Sequence, residues 1–461
     1  MSHSSPLLAI SPLDGRYAPK LEELRPIASE AGLIHYRIRV EAAWLLQLAK
    51  EPIIAGELTV DGQLRQELQN LSRGVIPSSA AEVVKKIEAT TNHDVKAVEY
   101  FLRDRLMEFG ANSKLLAHIH FACTSEDINN LAYGLMLKET RDDVIVPSMD
   151  NVIQSIDQLA RDFADIPMLS RTHGQTASPT TVGKELKVFS YRLKRQKDHL
   201  MNQRIDGKMS GAVGNYNAHV VAYPEVDWQA IAKEFVEREL GLNHNPLTTQ
   251  IENHDGFVEY CDIIRRYNSV AIDLSRDIWG YISLGYFKQK MKAGEVGSST
   301  MPHKVNPIDF ENSEGNMGIS SSLSDHFANK LPISRWQRDL SDSTVLRTFG
   351  VLVGHHLLGQ KSLLKGLAKL EINRDSISAD LDESWEVLGE AIQTVMRRYG
   401  VSDAYERLKA STRGQAVTKD SLIGVIQDCV EIPADQKKKL LGLKPSDYVG
   451  LASGLAGLEL N

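Results

Sequence analysis

Cysteine is scarce in this 461-residue chain: Cys123, Cys261 and Cys429 are the only three, at wide and unpatterned spacing. Such spacing excludes a disulfide framework and a CxxC metal or redox site, and the three read as small buried apolar residues. Long apolar runs are absent as well. No stretch approaches the roughly 18 consecutive apolar residues of a membrane span. The start Met1-Ser2-His3-Ser4-Ser5-Pro6 has neither the basic nor the apolar region of a secretory leader. The expected setting is therefore cytoplasmic, without membrane contact. A basic surplus is also missing. With 53 Lys and Arg against 60 Asp and Glu, the net charge of −7 projects no positive field. Nucleic acid is then not an expected partner, although a local basic pocket stays compatible with that charge. There is no Walker or Rossmann glycine pattern, so a phosphate would have to be held by side chains and helix ends. Alternating strand patterns with tight turns are nearly absent, Asp206-Gly207 being a small exception.

What is present is helical. No proline occurs between Pro179 and Pro224 or between Pro246 and Pro302. Within the second tract Phe257, Cys261, Ile264, Ala271, Ile278 and Ile282 follow a coiled-coil spacing, interrupted by Asn268 and Ser275 at two expected apolar positions. Val152, Ile156, Leu159 and Phe163 repeat helically within 148–165, and 184–204 is long, charged and free of glycine and proline. Helices of this length and number imply an antiparallel bundle. The fold class expected is all-α, in three parts: an N-terminal helical domain (1–115), a central long-helix bundle (116–370) and a C-terminal helical domain (371–461).

The most informative stretch is the loop Gly297-Ser298-Ser299-Thr300-Met301-Pro302-His303-Lys304-Val305-Asn306-Pro307. It packs hydroxyls, a cation and an amide between glycines and prolines, which suits closure over a small anion better than core building. Further blocks are Ser11-Pro12-Leu13-Asp14-Gly15-Arg16-Tyr17, Thr90-Thr91-Asn92-His93-Asp94-Val95-Lys96, Thr124-Ser125-Glu126-Asp127-Ile128-Asn129-Asn130, Ser170-Arg171-Thr172-His173-Gly174-Gln175, and the run from Ser334-Arg335-Trp336-Gln337-Arg338-Asp339 to Arg347. The loop resembles the SSxMPxKxN signature of the fumarase/aspartase superfamily. The set of blocks, in this order, resembles the adenylosuccinate lyase family within it.

That resemblance implies β-elimination of fumarate from succinyl-AMP and from the succinylated aminoimidazole carboxamide ribotide, with no cofactor and no metal. The hard step is removal of a proton next to a carboxylate, which piles charge onto a group already carrying two negative charges; a base, an acid and anion-holding groups are needed. Ser298 matches the general base. A hydroxyl needs activation, for which Lys304, the backbone N–H groups near Gly297 and a helix start after Asn306-Pro307 are available. His173 matches the general acid, a role that suits imidazolium near neutral pH. Glu311 matches a residue that orients this histidine, and an ordinary first-turn helix carboxylate is an equal reading. The resemblance places substrate contacts at Arg16, Tyr17, Asn92, His93, Asp94, Thr124, Ser125, Gln250, Ser299, Lys304, Val305, Asn306, Asn312, Arg338, Ser343, Thr344, Val345, Leu346 and Arg347. It also implies a homotetramer with sites built from several chains and a multi-subunit helical core. Two alternatives stay open at this point: another fumarate-releasing C–N lyase such as argininosuccinate lyase, and a non-catalytic helical structural protein.

Overall fold

The computed structural model describes residues 6–290, 305–412 and 417–459. It is 66% helical, as the proline-free tracts and apolar stripes require, so the all-α expectation is met. Among the described residues no helix is long and apolar enough to cross a membrane. Three small two-stranded sheets among the described residues interrupt the helices. β1 (Pro167–Thr172) and β2 (Gln175–Thr181) form an antiparallel hairpin. β3 (Asp206–Gly207) pairs in parallel with β4 (Asn243–His244), and β5 (Phe287–Gln289) pairs antiparallel with β6 (Leu370–Ile372). Asp206-Gly207 is therefore one strand of a parallel pair rather than a tight turn. Chain contacts divide the molecule into two compact units.

The first unit comprises Met1–Met149, Gln196–Ser269 and Gly315–Gly359. Its central helix, Glu30–Leu48, is capped by Ser29, whose hydroxyl accepts from Gly32 N at 3.1 Å. This helix is buried nearly all round, as a core helix must be. It packs against the helices Gly62–Ser72, Asp94–Glu108 and Ser125–Glu139. At one end Trp44 meets Phe235 and Trp228, with the His219 ring between Trp44, Tyr216 and Trp228.

The helical stretch expected over 148–165 is part of a longer run. Ser125–Glu139, a π-helical segment Thr140–Ile145 and Val146–Asp162 follow one another without a break. Pro147 explains the π segment: its ring would collide with the carbonyl four residues back in a regular helix, and the wider turn removes the clash. The stripe expected over 257–282 lies in the helix Asp255–Ser283, with Cys261, Ile264, Ala271 and Ile278 fully buried. Both polar interruptions find partners inside the chain: the Asn268 Oδ1 lies 2.6 Å from His356 Nδ1, and the Ser275 hydroxyl donates to Ala271 O at 2.9 Å.

The second unit comprises Asp150–Arg195, Val270–Glu314 and Gln360–Asn461. The helix Val182–Met201 coincides closely with the tract expected over 184–204. It starts against the end of the preceding helix: a Cβ on Gly183 would lie 2.2 Å from Ala160 O and 2.6 Å from Ala164 Cα. C-terminal helices Gly389–Arg398, Lys419–Asp428 and Ala434–Gly442 bury Ile392, Leu422, Ile426 and Leu440.

Candidate active site

Four of the expected substrate residues come together in the first unit through charge. Asp94 is the first residue of the helix Asp94–Glu108, entered through Asn92 in the left-handed region (φ 51°), which asparagine tolerates. His93 caps this helix, its Nδ1 accepting from Lys96 N at 3.1 Å. The Asp94 Oδ2 accepts from two guanidiniums, Arg37 and Arg347, each at 2.8 Å, while its Oδ1 accepts from Val95 N at 2.9 Å. Arg347 also reaches Glu30 at 3.1 Å. Arg37 is 2% exposed and donates through Nε to Asn129 Oδ1 at 2.9 Å. The Asn129 amide in turn donates to Glu126 Oε1 at 2.8 Å. Glu126 accepts from Arg338 at 2.9 Å, and Arg338 donates to Gln250 Oε1 at 3.3 Å. An unbroken row of alternating donors and acceptors thus joins Glu30, Arg347, Asp94, Arg37, Asn129, Glu126, Arg338 and Gln250.

Beneath Gln250, Thr124 and Ser125 lies a buried ion pair. Asp127 and Lys208 are both fully buried and 3.0 Å apart. Asp127 also accepts from Thr124 N, Ser210 N and Gly211 N, and the Lys208 ammonium donates to Gly211 O at 2.9 Å and Gln250 O at 2.8 Å. Every part of the pair is satisfied, which a buried charge requires. The start of the helix Ser125–Glu139 and the Gln250 backbone are thereby tied to one point. Close by, the buried His254 and Asp342 lie 3.7 Å apart, and Asp342 accepts from Ser343 N at 2.6 Å.

The carboxylates divide electrostatically. Burial alone would raise the Asp94 carboxyl, but Arg37, the Val95 N–H and Arg347 outweigh it and hold it below the usual range. Asp342 behaves alike: burial raises it, and His254 and the Ser343 N–H bring it down. For Glu126 burial wins, and its carboxyl is pushed up despite Arg338.

The remaining expected residues of this unit are less connected. Ser11, Asp14, Glu30 and Arg347 line one cavity of about 280 Å³, which brings the N-terminal block to the end of the row. Arg16 is exposed and makes no ion pair among the described residues; Tyr17 is half-buried, with Lys20 over its ring at 5.7 Å. Thr344 is exposed, whereas Val345 and Leu346 are buried core side chains, so a ligand could meet these two only through backbone.

The second unit carries His173 at the tip of the β1–β2 hairpin, exposed and in the left-handed region (φ 53°), followed by Gly174 (φ 75°). The hairpin is braced below its tip, where Arg171 and the Tyr286 hydroxyl both donate to Asp380. Thr172 and Gly174 line a cavity of about 650 Å³ together with Arg276, Asp277, Trp279 and Tyr281. Glu311 is exposed and accepts from the Trp279 indole at 3.2 Å; among the described residues it makes no hydrogen bond to His173. Asn312 Oδ1 accepts from the Ser362 hydroxyl at 2.6 Å, and Val305 O accepts from Gln289 at 3.4 Å. Asn306 is half-buried. Ser298, Ser299 and Lys304 lie outside the described residues.

Comparison with known proteins bears directly on this set. The family model described as Lyase matches residues 15–319, and that described as Adenylosuccinate lyase C-terminal matches residues 334–449. A protein of Vibrio cholerae named "Adenylosuccinate lyase" is 52% identical over 448 residues, covering 97% of this chain and 98% of its own. One of Legionella pneumophila (strain Corby) with the same name is 53% identical over 449 residues, with the same coverage. The chain belongs to the adenylosuccinate lyase family. Its fold is shared more widely: a 3-carboxy-cis,cis-muconate lactonizing enzyme from Pseudomonas putida superposes with a TM-score of 0.72 at 20% identity, covering 94% of this chain and 95% of that one. A fumarate lyase from Mesorhizobium sp. BNC1 does so at 0.70 and 17%, covering 94% and 96%.

Within this member of the adenylosuccinate lyase family, several residues of the row were not among those expected: Glu30, Arg37, Glu126 and Asn129, with the supporting Asp127, Lys208, His254 and Asp342. Their signal was present but weak. Arg37 is, with Glu41, one of two charges buried on a largely apolar helix, and Glu126 and Asn129 follow Thr124 and Ser125 within the motif at 124–130.

Proposed function

We propose that this chain catalyses the adenylosuccinate lyase reaction, β-elimination of fumarate from succinyl-AMP, and the parallel cleavage of the succinylated aminoimidazole carboxamide ribotide. The supporting observation is the row that gathers Asp94, Gln250, Arg338 and Arg347 from distant parts of the sequence in one unit. Guanidiniums suit carboxylate and phosphate groups, and a carboxylate with a lowered pKa stays ionised to orient them. In the proposed reaction Ser298, activated as alkoxide, takes the proton from the succinyl carbon adjacent to a carboxylate. Lys304 and Asn306 stabilise the aci-carboxylate that results. The C–N electron pair then leaves with the amino nitrogen, which takes a proton from His173, giving fumarate and AMP. Similarity over nearly the full length to proteins named "Adenylosuccinate lyase" favours this reading over argininosuccinate cleavage or a structural role. The proposal includes a cytoplasmic homotetramer whose sites draw His173 and Ser298 from different chains.

Ultraviolet monitoring of the purified protein with succinyl-AMP tests the activity. Fumarate release, unchanged by EDTA because the chemistry needs only acid–base groups, is the expected result. Absence of release refutes the reaction, and loss in EDTA with recovery on adding a divalent ion refutes the cofactor-free mechanism.

A further inference from the structure

In the row through the first unit, buried and more exposed members pair off. Arg37 (2% side-chain exposure) faces Asp94 (25%), and Glu126 (4%) faces Arg338 (19%). The outer members, Asp94 and Arg338, are the ones the proposed function places at the substrate, Arg338 to hold an anionic group and Asp94 to orient the guanidiniums. The inner members have no such role and lie too deep for one. They are nonetheless joined, because Asn129 accepts from Arg37 through Oδ1 and donates to Glu126 through Nδ2. Glu126 and Asn129 are three residues apart on one helix, so both project from the same face. Arg37 comes from the helix Glu30–Leu48 and Asp94 from the start of Asp94–Glu108.

Stability alone accounts poorly for this arrangement. Burying ions costs desolvation that their attraction barely repays, and well-packed apolar residues usually do as well or better. Orientation is a better account. A guanidinium held at one edge by a fixed carboxylate keeps one plane, and a carboxylate held by a fixed guanidinium keeps one rotamer. The Asn129 amide makes the two settings interdependent, since only a side chain that accepts at one end and donates at the other fits between Arg37 and Glu126.

We infer that Arg37, Asn129 and Glu126 form a brace, buried at Arg37 and Glu126 and half-buried at Asn129, that positions Asp94 and Arg338 for substrate binding. The inference rests on the proposed function, and its members are positioning residues that touch no substrate. A site arranged this way is pre-organised, so substrate does not have to order the outer side chains on arrival.

Three variants separate orientation from mere charge. Asn129→Asp is nearly isosteric but accepts at both ends and faces Glu126 with a like charge. Glu126→Gln keeps an acceptor oxygen for Arg338 without the charge, and Glu126→Ala removes both. Kinetics with succinyl-AMP and calorimetric titration with AMP are expected to show KM and the AMP Kd rising about tenfold or more in Asn129→Asp and Glu126→Ala, with kcat within about threefold of the parent. Glu126→Gln is expected to recover most of that loss. Unchanged KM and Kd in folded Asn129→Asp overturn the brace, as do equal losses in Glu126→Gln and Glu126→Ala, which would make Glu126 a charge partner only. If Glu126→Ala does not fold, Asn129→Asp alone decides. A parent protein that fails to cleave succinyl-AMP refutes the activity rather than the brace. The brace is then read from a crystal structure of Asn129→Asp: displaced Asp94 or Arg338 side chains support it, and unmoved ones overturn it.

Discussion

A lysine and an aspartate with no exposed surface set the strongest local constraint in the first unit. Because the Lys208 ammonium gives its protons to Asp127, Gly211 O and Gln250 O, nothing else can replace it without stranding a carboxylate in the interior. Lys208→Met is expected to lower stability by about 3–5 kcal/mol in urea unfolding, the usual cost of removing one partner from a buried pair; a change below about 1 kcal/mol would contradict the described geometry. His219 acts through protons instead. Burial among aromatic rings lowers its pKa to about 4, and among the described residues neither ring nitrogen has a hydrogen bond. The unfolded chain therefore binds a proton below about pH 6.5 that the folded chain refuses until about pH 4. Stability falls as pH falls across that window. His219→Phe, which keeps the ring packing, is expected to flatten the fall, as thermal melts at pH 7 and pH 5 can read.

Among the elements, long helices were legible because apolar stripes and missing helix breakers are local features: Asp255–Ser283 falls where periodicity placed it, and Val182–Met201 where a long tract lacks glycine and proline. The hairpin that presents His173 was not. Its strands are rich in serine and threonine, and their apolar alternation is too weak to separate them from loop; pairing with one another, not pattern, makes them strands. The π segment before Pro147 was hidden for another reason, since a proline reads as a boundary from sequence although a widened turn can carry the helix past it. Of the candidate site, the outer residues were legible through motif resemblance, while Arg37 and Glu126 depend on contacts between residues distant in sequence. Close approach of elements gives a further test. Gly183 starts its helix with no room for a methyl group beside Ala160 O and Ala164, both backbone. Gly183→Ala is expected to lower the melting temperature by several degrees, on the order of the 1–3 kcal/mol of an overpacked contact; an unchanged melt would mean the two helices separate freely there.

For the whole molecule, the proposed shared sites predict complementation. His173→Ala and Ser298→Ala, each inactive alone, should regain activity when co-refolded, because about a quarter of sites in a random mixture carry both native residues if these come from different chains. Verified mixed oligomers that stay inactive would assign both residues to one chain. The row in the first unit has one more consequence, for how substrate arrives. Glu30, Asp94 and Glu126 balance Arg37, Arg338 and Arg347, so the row as a whole is electrically neutral. Its guanidiniums act only at contact distance and cast almost no field beyond the Debye length of about 8 Å. On a chain of net charge −7, an anionic nucleotide is then not drawn in from afar but met by chance and recognised on touch. Encounter rates should accordingly hold steady or rise slightly with added salt, and kcat/KM measured from low to moderate ionic strength should show none of the steep decline of an electrostatically guided enzyme.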